Sequence, residues 1–260
     1  MAKGIVGAQM YTVRDFCRTI EGVAESLAKI RAIGYTTVQV SGIGPVDWRE
    51  LAKVIKDSGL TVAATHFGWQ EFTADTAGLI ERHRLLGCKH AAVGTLPGEY
   101  YVWPGGMNKF LGELAPVASK LIAAGMDFSY HNHYKELMRV DGERPKTWLE
   151  TLYDRATPQQ LKAEIDTYWI QAGGGDPAAW VAKYPLRQPI LHLKDMAVST
   201  KKEVRFAPVG EGNLNWPAIL AAAKTARVEF YLVEQDDCYG ADPFECLATS
   251  YRNLVKMGLR

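Results

Sequence analysis

The sequence predicts an α/β protein folded as a (β/α)8 TIM barrel, and three observations support that prediction. Short, mostly apolar runs alternate along the chain with amphipathic stretches, as buried parallel strands alternate with helices. Eight such units in 260 residues average about 32 residues each, which suits a barrel of this class. No GxGxxG motif follows the first run, which disfavours the doubly wound open sheet, the main alternative. We expect one barrel domain over residues 1–260.

The eight predicted strands are nearly continuous apolar runs with polar side chains near their C-terminal ends. They are IVGAQMYTV (5–13), TTVQVSG (36–42), TVAATHFG (61–68), HAAVGTL (90–96), MDFSYHNH (126–133), LKAEIDTYW (161–169), ILHLKD (190–195) and EFYLVEQD (229–236). In a parallel barrel all C-terminal strand ends lie at one mouth, where catalytic groups collect. Polar residues at these ends are therefore candidates for a site.

Amphipathic segments with recognisable ends separate the strands. Predicted helices cover residues 20–33, 47–58, 75–86, 107–124 and 243–257. A glycine follows each of these segments, and a glycine just past a helix end supplies the left-handed cap. The longest irregular stretch, residues 196–215, lies between the seventh and eighth strands and predicts a lid or a site loop.

Composition and charge exclude several classes of protein. Lys plus Arg number 30 and Asp plus Glu 29, a net charge of +1, which provides no basic surface for nucleic acid. No apolar run approaches the ~18 residues of a membrane span, and the N-terminus lacks a signal-peptide pattern. The four cysteines are scattered and form no CxxC pair. We therefore expect a protein of a reducing compartment, the cytoplasm.

Side chains capable of metal or acid–base chemistry follow five of the predicted strands, and four of the six histidines are among them. The candidates are His66, His131, His133, Glu136, Asp166, His192, Lys194, Asp195, Glu234, Asp236 and Asp237. A carboxylate does not enter an apolar strand without a partner. Carboxylates and imidazoles together suit Mn²⁺, Mg²⁺, Co²⁺ or Zn²⁺. The pattern predicts one divalent metal ion at the mouth.

Several motifs resemble those of the xylose-isomerase-like superfamily of sugar isomerases and epimerases, over nearly the whole chain. YHNHYKEL (130–137) is similar to the motif YHNHDFEF of one subgroup. Later signatures of the superfamily are resembled by EIDTYW (164–169), GGGDP (173–177), LHLKD (191–195), GEGNLNW (210–216) and VEQD (233–236). The resemblance implies a single TIM-barrel fold with a metal-dependent activity on a sugar.

The resemblance also implies one metal ligand from each of the last four strands. At the matching positions these are Glu136, Asp166, His192 and Glu234. Residues 134 and 135 depart from the Asp-Phe of the motif, so the strand-five ligand is either Glu136 or one of the histidines His131 and His133.

The implied chemistry is proton abstraction next to a carbonyl. A divalent ion polarises the carbonyl, and the carboxylates of Glu136 and Glu234 move the proton on opposite faces of the substrate. The metal, with His192 or Lys194, stabilises an enediolate. His131 and His133 are further candidates for acid–base groups.

Six residues near the predicted mouth are candidates for substrate contacts: Gln9, Tyr11, His66, Trp69, Trp103 and Trp169. The tryptophans are either core residues or platforms that stack on a sugar ring. The GEG segment at 210–212 is either a phosphate nest or a turn before a helix, and no Arg/Lys cluster lies near it. We expect a small sugar or polyol as the partner, with no nucleic acid and no membrane. A homo-oligomer is compatible with the sequence.

Three alternative functions remain open at this point. One is a lyase or dehydratase acting on an inosose or a 3-keto-glycoside with the same metal site. Another is an endonuclease IV-like phosphodiesterase, which requires several zinc ions and a basic face. The third is a sugar-binding barrel without catalysis, which would leave gaps in the ligand set.

Overall fold

Eight parallel strands close into a barrel in the computed structural model, which describes residues 4–140 and 146–259. In chain order the barrel strands are β1 Ile5–Gln9, β2 Thr37–Val40, β3 Thr61–Phe67, β4 His90–Val93, β5 Asp127–His131, β6 Lys162–Asp166, β7 Ile190–Leu193 and β10 Phe230–Val233. Strands β8 (Asp195–Val198) and β9 (Val204–Ala207) form a separate antiparallel pair. The predicted barrel is confirmed, and β10 closes it by pairing with β1 and β7.

Helices cover the outside of the barrel. They are α1 Ile20–Ile33, α2 Trp48–Ser58, α3 Trp69–Ala74, α4 Thr76–Leu86, α5 Gly105–Ala123, α6 Trp148–Arg155, α7 Thr167–Ala172, α8 Pro177–Lys183, α9 Trp216–Ala226 and α10 Pro243–Lys256. Short 3-10 segments occur at Met10–Phe16, Gly98–Tyr101 and Lys135–Leu137. The five predicted helices are confirmed as α1, α2, α4, α5 and α10. Asp47 and Asp75, predicted as first residues, are instead the N-caps of α2 and α4.

Several strands end earlier than their apolar runs, because a polar side chain starts the next element. The clearest case is β6, which was predicted to reach residue 169. Asp166 Oδ1 accepts a hydrogen bond of 2.9 Å from the backbone N–H of Trp169, which caps α7 directly after the strand. Residues 167–170 therefore belong to a helix, although a short run rich in apolar residues looks the same in either element.

The stretch predicted as irregular, residues 196–215, contains the β8–β9 hairpin and then folds around a buried carboxylate. Asp195 Oδ2 accepts hydrogen bonds from the backbone N–H groups of Gly210 (2.9 Å) and Gly212 (3.0 Å), and from Trp216 Nε1 (2.7 Å). A Cβ on Gly212 would lie 2.4 Å from Asp195 Oδ1, so this close approach requires glycine. The GEG segment is thus a turn that binds the protein's own carboxylate.

The barrel interior has an apolar lower part and a polar upper part. Ile190 and Leu232 belong to a small buried cluster with Ala63 and Ala64. His192 and Glu234 follow Ile190 and Leu232 by two residues and share their face, because side chains alternate along a strand. The polar residues therefore lie one layer nearer the mouth. Within the described ranges, no helix has both the length and the apolarity needed to cross a membrane.

Candidate active site

Four buried side chains converge at the C-terminal ends of β5, β6, β7 and β10. They are His131, Asp166, His192 and Glu234, and each is at most 5% exposed. One nitrogen or oxygen atom of each lies within 4.8 Å of the corresponding atoms of the other three. The strand register explains part of this, because Asp166 and His192 are direct neighbours on β6 and β7. Two imidazoles and two carboxylates form a donor set suited to one divalent cation.

A second group of the same kind adjoins the first and includes a residue that the sequence analysis missed. It consists of His66, His131, Glu164 and His192, again with ligand atoms within 4.8 Å of one another. Glu164 Oε1 lies 2.9 Å from His192 Nε2 and 3.5 Å from His131 Nδ1, and it also contacts His66 Nε2. A signal was available, because Glu164 precedes Asp166 by two residues in an apolar strand and so shares its face.

His131 and His192 belong to both groups, and the two ring nitrogens of each point to different carboxylates. His192 turns Nε2 to Glu164 and Nδ1 to Glu234 Oε2, at 2.8 Å. His131 turns Nδ1 to Glu164 and Nε2 to Asp166 Oδ2, at 3.8 Å. Glu164 therefore orients both rings so that their other nitrogens face Asp166 and Glu234. Carboxylates that hydrogen-bond a metal-binding histidine in this way fix its tautomer and its orientation.

Two glutamines complete the layer beneath the candidate ligands. Gln39 Oε1 lies 2.6 Å from His192 Nε2, and its Nε2 donates to Glu164 Oε1 at 3.1 Å. Gln9 Nε2 donates to Gln39 Oε1 at 2.9 Å and lies 3.5 Å from His66 Nδ1. Gln9 is completely buried, so the structure places it in this network and not on the cavity wall, where a substrate-binding role was expected.

Lys194 is buried among three carboxylates. Its Nζ lies 3.2 Å from Asp166 Oδ2, 2.9 Å from Glu234 Oε2 and 2.8 Å from Asp236 Oδ1. Only 1% of the residue is exposed. Asp236, a strand-end candidate to which the sequence assigns no role, is a partner of this lysine.

The pKa values at this site reflect an excess of negative charge. Burial raises the pKa of Asp166 to about 6, and the attraction of Lys194 only partly opposes that rise. Burial by itself would lower the pKa of His192, but Glu164 and Glu234 raise it to about 10. Carboxylates that keep a fully buried imidazole protonated have too little positive charge around them to balance their own negative charge. A divalent cation would supply the missing positive charge, so the residues present fit such an ion.

Glu136, which was expected as a metal ligand and base, lies outside both groups of candidate ligands. Its Oε1 accepts hydrogen bonds from the hydroxyls of Tyr101 (2.8 Å) and Tyr130 (2.9 Å), and its Oε2 accepts one from the backbone N–H of His133 (2.9 Å). The carboxylate is fully buried and engaged by these three donors. His131 supplies the strand-five candidate instead, an alternative that the sequence left open.

The open part of the site is a cavity of about 300 Å³ at the mouth, near the lower limit for small-molecule sites. Its walls include the expected residues Tyr11, His66, His131, His133, Lys194 and Glu234, together with Asp236. The cavity therefore opens directly onto the candidate ligands. Its size suits a ligand of about the size of a monosaccharide.

The three tryptophans proposed as sugar platforms differ in position. Trp69 is 1% exposed, packs against Phe110 at a ring distance of 4.8 Å, and donates from Nε1 to Glu113, so it is a core residue. Trp103 packs against the core and is not among the cavity-lining residues. Trp169 lies beside His133, with ring centroids 5.1 Å apart, and 5.4 Å from Lys194 Nζ. Of the three, only Trp169 adjoins the site.

Comparison with known proteins agrees with this fold. Residues 27–237 match the family model described as the xylose isomerase-like TIM barrel. The chain belongs to this family. Among the curated proteins with which it was compared, none matched.

Solved structures of this architecture superpose on nearly the whole xylose isomerase-like chain. A sugar phosphate isomerase/epimerase from Parabacteroides distasonis is 22% identical with a TM-score of 0.79, covering 98% of each chain. An L-ribulose 3-epimerase is 17% identical with a TM-score of 0.72, covering 100% of this chain and 95% of the other. A D-allulose 3-epimerase from Methylomonas sp. is 12% identical with a TM-score of 0.71, covering 100% and 99%. At these identities the likeness concerns the fold.

Proposed function

We propose that this xylose isomerase-like barrel is a metal-dependent sugar isomerase or epimerase that removes a proton next to a carbonyl. The observation that carries the proposal is the group of His131, Asp166, His192 and Glu234, whose ligand atoms lie within 4.8 Å of one another beside a cavity of about 300 Å³. The sugar isomerases and epimerases among the similar structures support the same class of reaction.

The four residues of this group would hold one divalent ion, Mn²⁺, Mg²⁺, Co²⁺ or Zn²⁺. Such an ion, when bound, polarises the substrate carbonyl and lowers the pKa of the neighbouring C–H group. Glu164 and Gln39 keep the imidazole of His192 in place from the opposite side. Because both lie beneath the ligands and are fully buried, they orient the site without contacting substrate.

Glu234 is the base in this proposal. Burial would raise the pKa of its carboxyl group, but Lys194 and His192 hold that pKa well below its ordinary value. The carboxylate is therefore ionised, and it lies on the cavity wall where a substrate can reach it. Lys194, whose pKa is raised by its carboxylate neighbours despite its burial, stays protonated and can donate a hydrogen bond to the substrate oxygen.

A second acid–base group is needed on the other side of the substrate, and His133 takes the place expected of Glu136. His133 lines the cavity, and its Nδ1 has no hydrogen-bond partner among the described residues. Burial and the charge of Lys194 lower the pKa of His133 to about 3, so the ring is neutral and would act as the proton donor through its N–H group. Return of the proton to the neighbouring carbon gives isomerisation, and return to the opposite face gives epimerisation.

The same unpaired imidazole favours one second candidate, a lyase or dehydratase acting on an inosose or a 3-keto-glycoside. Glu234 would take the α-proton as before. The electron pair left on the α-carbon would then expel the β-oxygen, and His133 would donate its ring proton to that leaving oxygen. The first step is shared, so the products distinguish the two reactions.

Proton exchange in deuterated water tests the proposal. The protein is loaded separately with each of the four metal ions and incubated with ketoses, inososes and 3-keto-glycosides, while ¹H NMR follows the protons next to the carbonyl. We expect deuterium at that carbon in any substrate that is turned over, with an isomer, an epimer or an elimination product. Turnover that leaves the α C–H bond unchanged would contradict the mechanism.

A further inference from the structure

Sugar-converting barrels act on free sugars or on sugar phosphates, and the two need different binding groups. A phosphate group requires arginine or lysine side chains, or backbone N–H groups at a glycine-rich turn or a helix start. In TIM barrels these donors usually come from the loops after the last two strands. Whether these donors are free or already paired within the protein therefore indicates whether the site takes a free sugar or a sugar phosphate.

The cation of the cavity is already neutralised. Lys194 is the single lysine or arginine among the cavity-lining residues within the described part of the chain. Its Nζ lies within 3.2 Å of three carboxylates, those of Asp166, Glu234 and Asp236. A phosphate group could approach this ammonium only by entering the same set of negative charges.

The backbone donors after β7 are also taken. The N–H groups of Gly210 and Gly212 donate to Asp195 Oδ2, and the N–H of Leu214 donates to Asp195 Oδ1 at 3.3 Å. Asp195 is fully buried, so this carboxylate is a permanent part of the turn. After β10, the first turn of α10 is capped by Asp242 Oδ1, which accepts from Phe244 N at 2.8 Å. Carboxylates thus occupy the two places where a barrel would bind phosphate.

The charge of the site points in the same direction. The carboxylates of Asp166, Glu234 and Asp236 face the single ammonium of Lys194, and a fourth carboxylate, Glu164, faces the neighbouring histidines. One divalent ion would leave the group with about one negative charge when the histidines are neutral. The remaining wall offers uncharged polar groups such as Ser41 and Thr95, which suit hydroxyl groups.

We infer that the substrate is an uncharged sugar or polyol-derived ketone, and that the site discriminates against phosphate esters. This inference rests on the proposed function, because it names the substrate class of the same site. Like-charge contacts in a desolvated site are costly, so we expect a phosphorylated sugar to have a kcat/KM at least about 100-fold below that of its free counterpart.

Cations at the edge of the mouth are the route by which a phosphate ester could still bind. Besides Arg14, which donates to the backbone oxygen of the cavity-lining Tyr11, they include Lys135 and Arg205. Lys135 Nζ donates to Thr95 Oγ1 at 3.0 Å, and Thr95 lines the cavity. Arg205 lies over the ring of Tyr239 at 4.2 Å and 3.6 Å from Glu203. Both are already engaged, and the variants Lys135→Met and Arg205→Met show whether either contributes to binding.

The experiment uses matched pairs, each ketopentose or ketohexose with its terminal monophosphate, such as D-fructose with D-fructose 6-phosphate. Binding to the metal-loaded protein is measured by calorimetry and turnover by α-proton exchange, with the free metal concentration kept equal in both arms. We expect at least one free sugar to bind and its phosphate to bind at least about 100-fold more weakly. Binding decides the inference even where exchange is absent, and absent exchange with intact binding counts against the proposed function alone.

A variant pair sharpens the test. Asp236→Asn removes one carboxylate from Lys194, and we expect it to reduce the disadvantage of the phosphate ester roughly tenfold. Asp237→Asn removes a charge from the next residue, which is exposed, and should leave the ratio unchanged. Equal or tighter binding of the phosphate, binding of neither class, or a selective loss of phosphate binding in Lys135→Met or Arg205→Met would overturn the inference.

Discussion

The two ends of the barrel each hold a buried histidine beside a carboxylate, but their charge balance differs. At the mouth, His192 lies 2.8 Å from Glu234, and both side chains are buried. At the opposite end, His90 Nδ1 lies 3.2 Å from Asp127 Oδ2, and the Asp127 side chain is 36% exposed. Positive side chains accompany that pair, since Lys89, Lys162 and Arg227 line the same shallow cavity.

Both ends contain the same residue types, so residue type does not distinguish the candidate site from an ordinary ion pair. The difference is whether nearby positive charges balance the carboxylates. At the N-terminal end, lysines and water offset the carboxylates. At the mouth, buried carboxylates outnumber the single lysine, Lys194, and that imbalance suits a cation that the protein does not itself supply.

Replacing Glu234 by Gln should abolish α-proton exchange, because one change removes both the base and a metal ligand. The loss should exceed the ~10²–10⁴-fold typical of a general base alone. The matched control is Glu229→Gln, which changes an exposed glutamate at the opposite end of the barrel. Exchange rates are compared at saturating metal, and comparable losses in the two variants would remove the distinction between the ends.

Replacing Glu164 by Gln should weaken metal binding about 10–100-fold, the usual cost of losing a residue that orients a ligand. The change keeps the shape of the side chain but removes the charge that faces His131 and His192. Metal affinity measured by calorimetry is the readout, with Asp127→Asn as the corresponding change at the other end. An unaltered affinity in Glu164→Gln would show that this carboxylate is not needed to orient the histidines.

Much of the fold could be predicted from the sequence, because β/α alternation and helix caps are local signals. The candidate ligands Asp166, His192 and Glu234 could be predicted for the same reason, since each lies at the end of a strand. The environment of Glu136 could not be predicted, because it depends on Tyr101, which is distant in the sequence and contacts Glu136 only through the fold. The 3-10 turn Lys135–Leu137 carries Glu136 toward the two tyrosines, and nothing in the local pattern marks that direction.

Asp195 illustrates a second limit. The sequence places it at a strand end like the other candidates, and nothing local shows that it turns to a loop. Its partners, Gly210 and Gly212, come from a segment whose course depends on the intervening hairpin. By contrast, Glu164 could have been found, since its spacing from Asp166 puts both on one face of β6.

His83 lies at neither end and gives a third case, a buried histidine with neutral partners. Its Nε2 lies 2.7 Å from Thr65 Oγ1, and its Nδ1 lies 2.8 Å from the carbonyl oxygen of Leu79. Burial lowers the pKa of His83 to about 4. The unfolded chain takes up a proton below about pH 6.5, whereas the folded protein does so only near pH 4. Its contribution to stability is therefore complete above pH 6.5 and is lost as the pH falls to 4.

Because of His83, the unfolding free energy of the wild type should fall by about 3 kcal/mol when the pH is lowered from 7 to 4. Urea unfolding of the wild type and of His83→Gln at both pH values measures the effect. The fall in stability should be smaller in the variant by about that amount, whatever the variant's stability at pH 7. Parallel pH profiles would mean that His83 is not held neutral.

The ion pair at the N-terminal end should have the smallest effect. Asp127→Asn removes the charge beside His90, but that carboxylate is partly exposed and screened by water. We expect a loss of unfolding free energy of no more than about 1 kcal/mol and an unchanged rate of α-proton exchange. Thermal unfolding and the exchange assay check both, and a large loss of activity would show that the two ends are coupled.

Metal titration of three proteins tests the central claim most directly, that one divalent ion binds at the mouth and that His131, not Glu136, provides its strand-five ligand. Co²⁺ binding is followed by calorimetry and by its visible spectrum in the wild type, His131→Ala and Glu136→Gln. We predict one ion per chain in the wild type. His131→Ala should alter the spectrum and weaken binding by more than the ~10–100-fold typical of a residue that only orients a ligand. Glu136→Gln should keep the spectrum and the stoichiometry. No binding by the wild type, or loss of the ion in Glu136→Gln with normal binding in His131→Ala, would contradict the account.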